Sequence, residues 1–510
     1  MKISELAALL CYFTMVLGIG IYFFWKERKV SAAGEKEYFL GGRNMNGWVT
    51  ALSAGASDMS AWVLMGLPGS IYLYGVNKVW IAVGLLAGTF AAWIWVAPRL
   101  RRYSIVAQDA ITIPQFLTAR FRTERRGILV ISAIVFVITY CIYTAASLYA
   151  CGTLFNTVLG MAPQKAMLIA SIVIVVYTLL GGFNAVCWTD FFQGLLMLGA
   201  LLLVPILAVA AMTGAEFCVS APVLSENYYN LLSSGKFDRE SICSIISGLA
   251  WGLGYFGMPH ILIRYFSVKS EKEMKKSQII GCSWFLIIII SACAVGLIGR
   301  RYLGDSLIKD DATSTLVFIN MVRDSLNWIG SHIGMLAVTG FCAGILLSAI
   351  LAAAMSSADS QLLASASAFA SDIYKPLLRK NASDKEMLYA GRIIVLIISI
   401  IAFFIAANPK CEGLMELVSC AWGAFGAAFS PAILAALYWK RLTYAGALAG
   451  IIVGFSADIL WFCFCRDSGI YEIIPGFMAG AVALIAVSLV TKAPSAEIIS
   501  DFQKAGIKQD

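Results

Sequence analysis

Long apolar runs separated by short polar segments set the pattern of this chain. A helix needs ~20 mostly apolar residues to cross a hydrocarbon layer. Thirteen stretches approach or exceed that length: roughly 4–25, 48–75, 78–98, 127–155, 165–182, 190–213, 243–266, 279–299, 328–370, 391–408, 413–438, 442–465 and 470–491. The pattern predicts an all-α polytopic membrane protein of about 13 transmembrane helices. The ninth stretch is too long for one crossing and is expected to continue as helix outside the bilayer. The first has the length of a secretory leader. It lacks a small-residue cleavage site and runs into Trp25-Lys26-Glu27-Arg28-Lys29, so it reads as a retained helix.

The loops orient these spans. With the N-terminus outside, the cytoplasmic connections and tail hold 27 Lys or Arg and the opposite side 11, the bias of the positive-inside rule. The outer segments 214–242 and 300–327 mix both signs, with Glu216, Glu226, Asp238 and Glu240 in one and Asp305, Asp310, Asp311 and Asp324 in the other. They read as folded or solvated external segments. The expected organisation is one transporter domain over 1–491 and a cytoplasmic tail over 492–510. No GxxxxGK[ST] string and no soluble domain of useful size is visible, so a fused kinase, ATPase or sensor output domain is not expected.

Composition agrees. Of 510 residues, 60% are hydrophobic and 13% charged, with mean hydropathy +0.81, against ~25% charged in a soluble domain. That excludes a soluble globule, a disordered chain and a secreted disulfide scaffold. The net charge of +8 sits in loops beside the membrane, so it does not imply nucleic acid. Thirteen cysteines, mostly in apolar runs, and two histidines, His260 and His332, give no zinc or disulfide framework.

The informative residues are polar ones that are costly to place in lipid. Asp58 lies about ten residues into the second stretch, among Ser53, Gly55, Ser57, Ser60, Gly66, Pro68 and Gly69. Small residues permit an unwound segment, and broken helix at membrane depth is tolerated where it lines a cavity. Freed carbonyls there can hold Na+, a hard cation that prefers oxygen. The alternative is a buried Asp paired with a structural donor. The seventh stretch is interrupted too: Gly248, Gly252, Gly254, Gly257 and Pro259 surround Trp251 and Tyr255, four apart and expected on one helical face. A cavity wall and an interfacial aromatic belt both fit these rings. Two broken segments five spans apart match two inverted five-helix repeats, with core repeats near 48–213 and 243–438.

In the ninth stretch Ser356 and Ser357 offer two hydroxyls among small residues; Asp58, these hydroxyls and nearby carbonyls would form an oxygen cage suited to Na+. Asp359 and Asp372 follow and are expected to pair with cytoplasmic basic residues. Asp190 opens the sixth stretch, where a helix N-cap is the competing role. Asp458 has no evident partner. No nucleophile–base–acid set exists, so an enzyme is not expected.

At these residues the chain resembles the sodium/solute symporter family, and within it the proline-transporting members. The resemblance rests on Leu40-Gly41-Gly42-Arg43, Ala51-Leu52-Ser53-Ala54-Gly55-Ala56-Ser57-Asp58-Met59-Ser60, Met65-Gly66-Leu67-Pro68-Gly69, Trp188-Thr189-Asp190, Trp251-Gly252-Leu253-Gly254-Tyr255-Phe256-Gly257, Pro259-His260, Tyr471-Glu472-Ile473-Ile474-Pro475-Gly476-Phe477 and Lys492-Ala493-Pro494-Ser495. It implies thirteen helices around a five-plus-five inverted-repeat, LeuT-like core that imports L-proline with Na+ by alternating access. It places Na+ on the backbone oxygens of Ala56, Met59 and Ala353 and the hydroxyls of Ser356 and Ser357, with Asp58 needed for sodium affinity and Asp190 on the sodium path. Trp62, Tyr143, Trp251, Tyr255 and Pro259 would border the substrate. Ser357 stands where the proline-transporting members carry Thr, which keeps the hydroxyl. Ala61 replaces a Gly, which adds a methyl at the break.

The expectation is therefore a sodium-coupled proline importer of the cytoplasmic membrane, N-terminus outside and C-terminus inside. Na+ is its coupling ion and membrane lipid its surroundings; no organic cofactor, nucleic acid or obligate protein partner is expected. The alternatives are a relative coupled to Na+ or H+ that carries pantothenate, a sugar or a monocarboxylate, and a non-transporting channel or sensor.

Overall fold

The computed structural model describes residues 2–29, 35–213, 224–408, 411 and 413–507. The chain is helical throughout these residues, with a single isolated backbone bridge and no strand. Among the described residues ten helices are long and apolar enough to cross a membrane, or eleven if the bent pair Arg239–Phe256 and Pro259–Ser267 is one span. Two of the thirteen expected stretches fall outside that number. The stretch at 48–75 is cut into pieces of 12 and 8 residues, and that at 165–182 is the shorter apolar helix Pro163–Leu179. Part of the outer segment 214–242, including Glu216, lies outside the described residues.

The first broken span begins at Asn46, whose side chain caps the helix Gly47–Asp58 by accepting from the amide of Val49 at 3.0 Å. The helix stops at Met59, whose ψ of 70° leaves the helical basin. A π-helical turn, Trp62–Gly66, leads into Leu67–Tyr74, where Pro68 sits in the first turn and needs no amide donor. Gly75 ends the run at φ 90°, a conformation that favours glycine.

The second broken span is capped by Asp238 on the amide of Ser241 (2.9 Å) and runs as α-helix from Arg239 to Ala250. It tightens to a 3-10 turn over Trp251–Phe256, bends by 44°, and restarts at Pro259. Its glycines work by close approach. A Cβ at Gly252 would stand 2.3 Å from the carbonyl oxygen of Gly84, and one at Gly254 would overlap the indole of Trp422.

Two expected boundaries change. The stretch 328–370 divides: an amphipathic helix, Val317–Ile333, ends at Gly334 (φ 70°), and the next begins at Leu336. That helix, Leu336–Ala368, is buried from Leu346 to Ala368. Small residues bring others against it; a Cβ at Gly344 would stand 2.6 Å from the Cβ of Ala8 on the helix Lys2–Lys29. The connection after the seventh stretch is shorter than the gap between 243–266 and 279–299 implies. Arg264 belongs to Pro259–Ser267, and Glu271–Leu303 already begins seven residues on.

Burial separates centre from edge. In Leu414–Tyr438, 89% of the apolar window is buried, against 28% in both Tyr444–Phe464 and Ile473–Val490, so the last two are peripheral. The tail forms a helix, Ala496–Gly506, docked on Ala97–Val106. Phe502 meets Tyr103 edge-on and lies 4.8 Å from the guanidinium of Arg99, while Arg122 pairs with Glu497 and Asp501.

The two broken spans run in opposite senses. Tyr74, at the end of the first, and Arg239, at the start of the second, line cavities on one end of the bundle. At the other end Met45 and Val268 form a parallel bridge: the amide of Met45 donates to Ser267 O at 3.1 Å and that of Lys269 to Met45 O at 3.0 Å. Arg43 adds a bond to Phe266 O and Arg101 one to Val268 O, both at 2.7 Å.

Candidate functional site

The break in the first span delivers its polar groups to two neighbours. Toward Leu336–Ala368, Ser356 Oγ donates to Ala56 O at 2.8 Å and lies 3.2 Å from Ala353 O. Ser357 Oγ is buried with no hydrogen-bond partner among the described residues. Ala56, Met59, Ala353, Ser356 and Ser357 are all fully buried. Two carbonyls and a hydroxyl thus converge beside a second hydroxyl in want of a partner, oxygens of the hardness an alkali cation takes.

Toward the second broken span, Asp58 Oδ2 accepts from the Tyr255 hydroxyl at 2.5 Å, and its other oxygen is buried without a donor. The carboxylate therefore points at Tyr255. The expected cage of Asp58 with both serine hydroxyls is divided between two faces: carbonyls and serines on one, carboxylate and phenol on the other. The Trp62 indole turns back to Asp58 O at 3.3 Å.

Trp251 and Tyr255 occupy a 3-10 turn rather than an α-helix, so four residues no longer bring them to one face. Both still meet Trp422, which inserts between them: its Nε1 donates to Trp251 O at 2.8 Å and its ring meets Tyr255 edge-on at 5.0 Å. Trp251 stacks on Tyr471 at 5.0 Å. Neither Trp251 nor Tyr255 sits in an interfacial belt; they are 6% and 2% exposed. Tyr143, from Gly127–Leu159, packs edge-on against His260, the residue after Pro259, and its hydroxyl lacks a partner among the described residues. A cavity of about 380 Å³ reaches this wall from the end of the bundle marked by Tyr74, Lys78 and Asp311, and meets it at Trp251 and Gly66.

A second polar cluster lies deeper along the same helices. Arg264 is 2% exposed. Its Nη2 pairs with Asp190 Oδ2 at 2.9 Å and also reaches Ser360 Oγ. Nε donates to Ser53 Oγ at 2.8 Å and Nη1 to His260 O at 2.5 Å. Ser53 donates in turn to Asp190 at 2.7 Å. Asp190 lies eight residues inside Gly182–Met212, so it is not the N-cap weighed from sequence; that helix starts at the kink of Gly182, φ 56°. Asp359 accepts from Tyr177 at 2.8 Å and from Ser360 at 3.1 Å, hydroxyls where a basic partner was expected, and Asp372 accepts from Thr112 at 2.9 Å.

Arg264, Tyr177, Trp422 and the part of Tyr471 were missed from sequence. Arg264 carried a usable signal: an Arg inside the apolar seventh stretch requires a buried counter-charge, and Asp190 was available. The aromatic partners carried none, being three rings among the chain's 13 Trp and 20 Tyr.

The model of the "Sodium:solute symporter family" matches residues 38–454. The chain belongs to the sodium:solute symporter family. This symporter is 41% identical over 500 residues to the osmoregulated proline transporter OpuE of Bacillus subtilis, covering 97% of this chain and 96% of that one. It is 40% identical over 473 residues to the sodium/proline symporter of Escherichia coli, covering 92% and 90%. Among solved structures it is similar to a Na+-coupled sialic acid symporter in an outward-open state, with TM-score 0.73, 21% identity, and coverage of 96% and 99%. MhsT in complex with L-phenylalanine matches with TM-score 0.53, 15% identity, and coverage of 87% and 97%. The fold is thus that of the LeuT-like transporters, and the chain is a multi-pass membrane transporter, not an enzyme.

Proposed function

We propose that this symporter imports L-proline with Na+ across the cytoplasmic membrane, and that Ala56, Met59, Ala353, Ser356 and Ser357 hold the ion. One observation carries the reading: the Ser356 hydroxyl joins the broken end of Gly47–Asp58 to Leu336–Ala368 beside the unpartnered Ser357 hydroxyl. An ion seated there pins the two helices and orders the break. Asp58, two residues from Ala56, passes that ordering to Tyr255 and so to the wall of Trp62, Tyr143, Trp251 and Pro259, where a small ring fits among aromatic faces. Na+ and proline then each favour the same arrangement, and the coupling is reciprocal. Two relatives named as proline transporters at 40% identity or above support proline over the other solutes of the family. Asp190, clamped by Arg264, lies on the route the ion takes from this site.

The orientation proposed is N-terminus outside and C-terminus cytoplasmic. Arg120, Arg264 and Arg300 are buried rather than in loops. Without them the basic residues divide 25 to 10, so the bias persists. The cavity ending at Trp251 then opens outward. An inside-negative potential adds ~2.3 kcal/mol per charge per 100 mV to inward Na+ movement.

The test is uptake of labelled proline into proteoliposomes after a sodium jump, with pantothenate, sugars and monocarboxylates as competitors. Accumulation against the proline gradient that collapses with the sodium gradient is expected. Uptake driven equally by a proton gradient, or blocked by another solute at lower concentration than proline, would overturn the assignment.

A further inference from the structure

Two acids in the peripheral spans take no part in the arrangement above. Asp458, in Tyr444–Phe464, is fully buried, and neither of its carboxylate oxygens has a donor among the described residues. Glu472, immediately before Ile473–Val490, is 9% exposed, and its Oε1 also lacks a donor. Gly423 lies between them. A Cβ built there would stand 2.9 Å from Asp458 Oδ1 and 3.2 Å from Glu472 Cγ. The Asp458 carboxyl and the Glu472 side chain therefore close on the same stretch of bare backbone. Charges on two buried acids so near one another repel, and a proton on either acid supplies a donor that the pair otherwise lacks.

The pair has an entrance and a reader. Glu472 lines the cavity that ends at Trp251, so protons can exchange with water there. The next residue back, Tyr471, stacks on Trp251 at 5.0 Å. Its hydroxyl donates to Ser419 O at 2.9 Å and its amide to Ser247 Oγ at 3.0 Å. Any displacement of Glu472 is carried by one peptide to the ring behind Trp251. We propose that Asp458 and Glu472 form a proton-binding site, loaded from this cavity, whose occupancy sets the affinity for substrate through Tyr471 and Trp251. This rests on the reading of Trp251 as a substrate wall.

The surrounding charges leave the pair as the group to titrate. Glu416 is held by Arg466. Asp467, Asp311 and Glu240 are exposed, while Lys78 and Arg239 line the cavities as cations. The remaining neighbours, Cys420, Cys243, Tyr74, Tyr143 and Tyr149, are thiols and phenols without a carboxyl or ammonium group. Loss of that proton leaves two negative charges on the same patch of buried backbone. Glu472 then swings toward water, Tyr471 loosens, and substrate binds less tightly.

The full-length protein in proteoliposomes tests this. The apparent constant for proline is expected to rise by about fivefold or more from acidic to alkaline external pH, the low end of coupling between two sites. Asp458→Asn should keep the maximal rate and flatten that profile; Glu472→Gln should flatten it as well. Infrared spectra of the purified protein at neutral pH give a readout independent of transport: the C=O stretch of a protonated carboxylic acid, present in the wild type and lost in Asp458→Asn. An unchanged pH profile in Asp458→Asn, or a spectrum in which that variant removes no such band, overturns the proposal. If the wild type takes up no proline at any pH, the substrate assignment fails, while the infrared band still decides the acid pair.

Discussion

Arg264 offers the sharpest test of what holds the centre of the bundle. It ties together Gly47–Asp58 through Ser53, Gly182–Met212 through Asp190, Leu336–Ala368 through Ser360, and its own helix through His260 O. Arg264→Met keeps an unbranched apolar stem and removes the guanidinium with its charge. Asp190, fully buried, would retain one serine donor and no cation. Removing one member of a buried pair costs about 3–5 kcal/mol, because the other charge remains in a medium that cannot solvate it. At 1.4 kcal/mol per decade, that is roughly two to nearly four decades in the folding equilibrium. The assay is the amount of monodisperse protein recovered in detergent and its melting temperature, with sodium-dependent uptake measured on what survives. Adding Asp190→Asn removes the stranded charge, so the double variant should regain much of the stability lost by Arg264→Met alone. If Arg264→Met melts like the wild type, or Asp190→Asn adds a further independent loss, the guanidinium is not the tie described here.

Other expectations follow from the same geometry. Tyr255→Phe deletes the only donor seen on Asp58, a bond to a charged group worth about 1.5–3 kcal/mol; the apparent sodium constant should rise by roughly ten- to a hundredfold, and an unchanged constant refutes the link. Ser357→Ala should weaken sodium dependence by about tenfold, one hydrogen-bond equivalent, while Ser357→Thr stays near wild type; equal effects would mean that the hydroxyl is not a ligand. Gly252→Ala drives a methyl to within 2.3 Å of Gly84 O, overpacking that costs about 1–3 kcal/mol. Its membrane level should fall, and wild-type abundance by fluorescence-detected chromatography would contradict the close approach.

The spans were legible because apolar length is a one-dimensional property, and the breaks because Gly55, Gly66, Pro68, Gly252, Gly254 and Pro259 weaken a helix wherever they stand. The glycines carried a second message that sequence reasoning took only as flexibility. Gly252 and Gly254 are bare because Gly84 and Trp422 lie against them. That meaning needs the partner in view. The polar centre was half legible. Asp58, Asp190 and the serines stand out by their cost in lipid, but cost alone does not say which of them meet. Asp58 found a phenol and Asp190 an arginine, and neither joined the serine pair. Arg264 stands near the end of the seventh stretch, and a charge there looks like a loop residue until the fold covers it.

The bridge between Met45 and Val268 has a bearing on how this protein can change over generations. If the transport cycle opens that end, two backbone N–H···O hydrogen bonds must part beside the Arg43 and Arg101 contacts, each backbone bond worth only about 0.5–1.5 kcal/mol once water takes its place. Such a bridge adds little to the barrier for opening. The bridge itself, apart from the flanking Arg43 and Arg101 contacts, is written in peptide groups. Ordinary substitutions at Met45, Ser267 or Lys269 leave it intact, and only proline, which removes an amide hydrogen at 45 or 269, can undo it. Drift in the side chains around this clasp can therefore retune its neighbours while the clasp itself is inherited unchanged.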